Sequence, residues 1–147
     1  MLLRELIPSD RQEFLAMAKE FYSGPGVLHS IPDEHFNATF ELSLKGSPFL
    51  KSYLIEAEGE AVGYLLCSFT YSNEAGGMVA LLEELYLRPS CRGKGYGSEV
   101  IRQIVDLFPE VRRFRLEVTH QNEGAIRLYE KLGFEPFDYL QMVMERK

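Results

Sequence analysis

The sequence predicts an α/β domain with a central mixed sheet. Three observations carry this: helical-period apolar patterns before and after the middle of the chain, a hairpin pattern followed by a long apolar run in the middle, and the resulting order βααβββαβαβ. At 147 residues the chain is one domain's worth, and residues 1–147 are read as a single domain.

Leu2 to Glu5 is a short strand candidate. Ser9 with Gln12, or Asp10 with Glu13, has the spacing of a capping box, and Phe14, Met17, Ala18 and Phe21 then follow at helical offsets. Ser23-Gly24-Pro25-Gly26 breaks that helix. A second helix is expected from Pro32 to Leu44, with Phe36, Phe40 and Leu44 on one side and Gly46 and Pro48 beyond its end. Tyr53 to Glu58, a Gly59-Glu60 turn and Val62 to Tyr71 read as a hairpin. After a turn at Asn73 to Gly77, Met78 to Leu87 is the mostly apolar run of a strand buried on both faces. Gly97, Val100, Ile101, Ile104, Val105 and Phe108 share one face of an amphipathic helix closed by Pro109. Phe114 to Thr119 is another strand, Asn122 caps a helix running to Leu132 that Gly133 stops, and Asp138 to Arg146 is expected as a last strand.

Composition narrows the function. Hydrophobic residues make up 46% and charged residues 26%, as in ordinary folded domains. No apolar run approaches membrane-spanning length, and MLLRELIPSD is too charged for a signal peptide. Cys67 and Cys91 read as reduced thiols, which points to the cytoplasm. The net charge is −6. Residues 1–87 hold five basic and thirteen acidic residues, whereas residues 88–147 hold eleven basic and nine acidic. An acidic first part suits a cationic partner and a mildly basic second part an anionic one, while the net acidity argues against nucleic acid.

The most informative segment joins the long apolar strand to the amphipathic helix: Leu85-Tyr86-Leu87, then Arg92-Gly93-Lys94-Gly95-Tyr96-Gly97-Ser98. Glycines at 93, 95 and 97 let backbone N–H groups turn toward one point, a helix start adds further donors, and Arg92 and Lys94 add charge. Together these make a pyrophosphate cradle. A P-loop is excluded, and a dinucleotide fingerprint is half matched by Gly93, Gly95 and Ser98, with Glu117 downstream. Arg-x-x-Gly-x-Gly is matched in full by Arg92, Gly95 and Gly97. Further on, Asn122, Ala125, Tyr129 and Leu132 share one helix face, which suits either an amphipathic core helix or a ligand site. Glu83 and Glu84 stand in an otherwise apolar strand, where regular alternation sends them to opposite faces, so one needs a wet cleft or a partner.

On these residues the sequence resembles the GNAT superfamily of N-acetyltransferases. LEELYLRPSCRGKGYG is similar to that family's acyl-CoA-binding strand, loop and helix, and NEGAIRLYEKLGF to its second signature, Asn-x-x-Ala-x-x-x-Tyr-x-x-x-Gly-Phe. Cys91 departs from the pattern, where an aromatic is more usual before the arginine. The resemblance implies a mostly antiparallel sheet with about four helices, acetyl-CoA as cosubstrate, and direct attack by an amine in a ternary complex; no metal cluster stands out in the sequence, so no metal is expected. It implies that Tyr129 is the general acid, that Asn122 bonds the pantetheine amide, and that Leu85 and Leu87 offer main-chain bonds to the pantetheine arm. It implies Glu83 as the base, with Glu84 as competitor if a bulge alters the strand. Tyr22 to His35 corresponds to the segment that shapes the acceptor site.

A small cationic amine is the expected acceptor. A peptide or protein amine and a CoA-binding regulatory module without turnover are the alternatives, and a homodimer is compatible with the chain. His29, His35 and His120 lack metal-ligand spacing and read as structural or surface residues, with His120 the reserve base. Cys67 reads as core.

Overall fold

Alternation in the middle of the chain sets the architecture. The computed structural model describes residues 1–146. In chain order it has β1 (Leu2–Glu5), α1 (Arg11–Tyr22), α2 (Asp33–Leu44), β2 (Leu50–Ala57), β3 (Glu60–Ser72), β4 (Gly77–Leu87), α3 (Tyr96–Leu107), β5 (Val111–Leu116) and α4 (Glu123–Lys131). The sheet runs β1-β2-β3-β4-β5. Neighbours are antiparallel except β4 and β5, which are parallel because α3 carries the chain across between them.

Both faces of the sheet are covered. Phe14, Met17 and Ala18 of α1 and Phe36 and Phe40 of α2 pack on Leu54, Tyr64, Leu66 and Tyr86. Val100, Ile101 and Ile104 of α3 pack on Tyr53, Ile55, Leu65, Cys67 and Leu82 on the other face. Successive residues of β3 therefore serve opposite cores, which explains its near-continuous apolar run.

Several expectations are corrected. No side-chain cap opens α1. The Asp10 carboxylate instead accepts from the Ile7 N–H at 2.8 Å and from both Arg4 Nη atoms at 2.8 and 2.9 Å, an ion pair outcompeting a cap. The β2–β3 turn uses Glu58 and Gly59, both at positive φ, so Glu60 already pairs with Ala57. Val105 is exposed, because the sheet-facing stripe of α3 is narrower than the apolar pattern. The strand expected from Phe114 to Thr119 is Val111–Leu116, since parallel pairing with β4 begins at Met78↔Val111 and ends at Leu82↔Leu116.

The last strand does not form: Asp138 to Arg146 makes no ladder. Phe137 lies under the guanidinium groups of Arg113 and Arg115, at 4.9 and 5.7 Å from its ring centroid, and the Tyr139 hydroxyl donates to Glu74 at 2.6 Å. These contacts draw the chain over β5 side chains, away from the strand's hydrogen-bonding edge.

Candidate active site

The carboxylate pair is shaped by a one-residue irregularity. Leu66 of β3 faces Glu84 and Cys67 faces Leu82, which leaves Glu83 as the extra residue of a bulge. The bulge cancels the expected alternation. Glu83 accepts from the Ser68 hydroxyl at 2.7 Å, and Glu84 accepts from Tyr22 and Tyr64 at 2.7 and 2.8 Å. Tyr64 and Ser68 are four residues apart on β3, so both carboxylates lie on the face covered by α1 and α2, and the expectation of opposite faces is overturned.

The two carboxylates have different surroundings. Glu83 is exposed. Burial pushes the Glu84 carboxyl above its ordinary value, against the lowering effect of the two phenol bonds, and the nearby Glu83 charge pushes it further up. Burial and the Glu84 carboxylate in turn raise both Tyr22 and Tyr64, keeping them as donors. Tyr22 belongs to the segment expected to shape the acceptor site, whereas Tyr64 and Ser68 escaped sequence reasoning because their role depends on strand register.

A notch opens beside this pair. Ladder contact between β4 and β5 stops at Leu82↔Leu116, while β4 continues to Leu87 against β3. The Arg88 N–H donates to the Val62 carbonyl at 2.8 Å, so by alternation residues 84 and 86 bond toward β3. The backbone of Leu85 and Leu87 consequently faces the notch. Past the end of β5 in the chain, the Thr119 hydroxyl oxygen is buried without a partner.

The glycine-rich loop follows directly. The Arg92 Nε donates to the Leu87 carbonyl at 2.9 Å, and its guanidinium lies 5.7 Å from the Tyr86 ring centroid. The Tyr86 hydroxyl donates to Glu20 of α1, linking the loop's strand to the opposite helix layer. Gly93 and Gly95 have φ of +75° and +84°, with open space where a Cβ would lie. Gly95 is the N-cap of α3, so Tyr96, Gly97 and Ser98 form the helix's first turn, where N–H groups lack intrahelical acceptors. Gly97 differs from the expectation for all three glycines: it is buried, and its Cβ would meet Leu128 of α4 at 3.0 Å. Its smallness serves helix packing. Lys94 lines a cleft of about 330 Å³ together with Arg88, Cys91 and Tyr96, between this loop and the β2–β3 turn.

Helix α4 brings the remaining residues to the α3 side of the notch. Tyr129 packs against the second core with its ring edge-on to Phe134, 5.9 Å between centroids, and burial alone raises its phenol. The Asn122 Oδ1 accepts from the Ala125 N–H at 3.3 Å, which makes it the expected cap, with its Nδ2 not engaged by that bond. His29, His35 and His120 are exposed. Burial pushes the Cys67 thiol up to about 12, so it is inert, and no cluster of metal-ligating side chains occurs among the described residues. Among these residues no helix is long and apolar enough to cross a membrane.

The sequence model of the acetyltransferase (GNAT) family matches residues 12–134. The chain belongs to that family. This GNAT protein is 32% identical over 143 residues to the thialysine N-epsilon-acetyltransferase of Mus musculus, covering 89% of this chain and 82% of the relative. It is 31% identical over 93 residues to the aminoglycoside N(6')-acetyltransferase type 1 of Klebsiella pneumoniae, covering 56% and 46% of the two chains. The fold matches that of aminoglycoside acetyltransferase AAC(6')-Iy in complex with a CoA bisubstrate analogue, with a TM-score of 0.80, 22% identity, and coverage of 99% and 98%. The GNAT chain is an acetyl-CoA-dependent N-acetyltransferase. Its open glycine turn and the strand backbone facing the notch fit an elongated thioester with a diphosphate at one end.

Proposed function

We propose that the enzyme acetylates the primary amine of a small cationic acceptor, which attacks the thioester directly. The observation that carries this is the notch between β4 and β5, with an acidic pair on one face of the sheet and Tyr129 on the other. Acetyl-CoA lies with its diphosphate on the N–H groups of residues 93–98 and its pantetheine along Leu85 and Leu87, reaching Asn122 Nδ2. The acidic character of residues 1–87 and the acceptors named for the relatives, thialysine and aminoglycosides, support a cationic amine.

A lysine-like amine with pKa about 10.4 is neutral in only about one molecule in 2,500 at pH 7, a shortage of roughly 4.6 kcal/mol. Glu83 takes the amine proton, directly or through a water. It is exposed and holds one serine bond, while each Glu84 oxygen already accepts a phenol. The N–C bond forms, the tetrahedral oxyanion collapses, the C–S bond breaks, and Tyr129 gives its proton to the departing thiolate. Burial keeps that phenol protonated until the thiolate forms beside it.

The test is release of free CoA from acetyl-CoA with a panel of amines. Polyamines, thialysine and aminoglycosides are expected to turn over, with neutral amines poor. CoA binding with no turnover on any amine would instead favour the regulatory module.

A further inference from the structure

Helices α1 and α2 leave one strip of their side of the sheet bare. Their core takes side chains from β2, β3 and β4 and none from β5. Phe114 and Leu116 of β5 pack into the opposite core, so alternation turns Arg113 and Arg115 to the α1 and α2 side. One cross-strand row of the strip runs Ser68, Leu81, Arg115, since Ser68 faces Leu81 and Leu81 faces Arg115. At one end of the row the Ser68 hydroxyl holds the exposed Glu83 carboxylate at 2.7 Å. In the middle Leu81 is half-buried and belongs to neither core. The row therefore reads carboxylate, apolar floor, guanidinium, across two strand spacings of roughly 10 Å.

Arg115 differs from the cations around it. Arg4, Arg11, Lys19 and Arg88 each hold a carboxylate, and Arg113, its neighbour on the same face, is paired with Glu74 at 2.9 Å. Arg115 is half-buried, and its side chain has no ion pair and no hydrogen bond among the described residues. The Phe137 ring, with its centroid 5.7 Å from the guanidinium carbon, steadies the group but offers no oxygen to its five N–H donors. A guanidinium matches a carboxylate with two parallel hydrogen bonds, which makes it the side chain suited to an anionic end group. Within the proposed acetylation of small amines, on which this rests, Glu83 receives the amine. We infer that the acceptor is an ω-amino acid whose reacting amine lies at Glu83, whose methylenes cross Leu81 and whose carboxylate is held by Arg115. A diamine of the same length would set its far cation against that guanidinium, so Arg115 selects between acceptors that share one reacting end.

Values of kcat/KM at saturating acetyl-CoA for ε-aminocaproate and ε-aminocaproamide test this, because the two share chain and amine and differ only in the charge at the far end. The parent is expected to favour the acid by about tenfold or more, the worth of a hydrogen-bonded charge pair. Arg115→Gln is expected to bring the ratio to parity. Arg115→Lys keeps the charge without the fork and is expected to fall between the two. Arg102→Gln removes the same charge from an exposed position on α3 and is expected to keep the parent ratio. A CoA-induced rise in melting temperature shows that each variant is folded. Should Arg115→Gln lack that rise, Arg115→Lys decides, and an undiminished ratio there overturns the inference. Equal rates on acid and amide in the parent overturn it while small-amine acetylation stands. So does a preference that survives Arg115→Gln, or one that Arg102→Gln abolishes. No release of CoA with either compound or with cadaverine overturns small-amine acetylation and the carboxylate site with it.

Discussion

Tyr129 and the two glutamates divide the chemistry through their surroundings. Tyr129→Phe removes one hydroxyl and leaves the ring against Phe134. Turnover is expected to fall about tenfold to a thousandfold with CoA affinity kept. Steady-state kinetics beside calorimetric CoA titration checks it, and undiminished turnover would return Tyr129 to the core. For Glu84, burial raises the folded carboxyl above its ordinary 4.5. A raised acid contributes stability that is full below the ordinary value and is lost as pH rises through the folded value. Glu84→Gln lacks that loss. Its melting temperature relative to the parent is therefore expected to climb as pH rises above the ordinary carboxylate value, and to level off once the folded carboxyl is ionised. Glu83→Gln is expected to slow turnover most near neutral pH, with the deficit shrinking as pH nears the amine's own pKa. Thermal melts across pH and a pH–rate profile read the two variants apart. Glu83 and Glu84 stood out as acids in an apolar strand, and Tyr129 through the family resemblance. What the sequence lacked was register: Tyr22, Tyr64 and Ser68 become partners only once β3 is aligned on β4.

At the scale of elements, two glycines of one loop do different work. Gly95 sits at φ +84° with open space at its Cβ, so Gly95→Ala meets only backbone strain, of about 1–2 kcal/mol. Gly97→Val drives a branched side chain into Leu128, 3.0 Å from the first added carbon. The expected outcome is that Gly95→Ala weakens CoA binding with a modest drop in melting temperature, whereas Gly97→Val shifts α3 against α4 and lowers stability strongly. Melts with and without CoA distinguish the two. Helices α1 to α4 were legible because their apolar stripes are local. The displaced β5 and the unformed last strand were not. Strand limits depend on where a neighbour stops, and Phe137 and Tyr139 found side-chain partners that no local pattern encodes.

Across the whole molecule, charge is segregated: the first 87 residues carry thirteen acids against five bases, and the remainder is slightly basic. An acidic first part favours the approach of the proposed cationic acceptor. Raising ionic strength from about 0.01 to 0.15 M shortens the screening length from about 30 to 8 Å. KM for a doubly or triply charged amine is expected to rise severalfold over that range, while KM for a monoamine moves little. Initial-rate measurements on both acceptors check this, and equal changes would remove long-range attraction from the account.

The extra residue in β4 also bears on how this strand tolerates altered length. Glu83 has no partner across the ladder, so losing its codon would join Leu82 and Glu84 in the alternation they already hold opposite Cys67 and Leu66. Losing any other codon between Val79 and Leu82 would turn the residues before it to the wrong core. Position 83 is thus the place in the strand where a one-residue deletion spares the scaffold while removing the proposed proton acceptor. Chemistry and architecture are separable there by a single three-nucleotide event, and an inactive descendant could keep the fold and its CoA-binding loop intact.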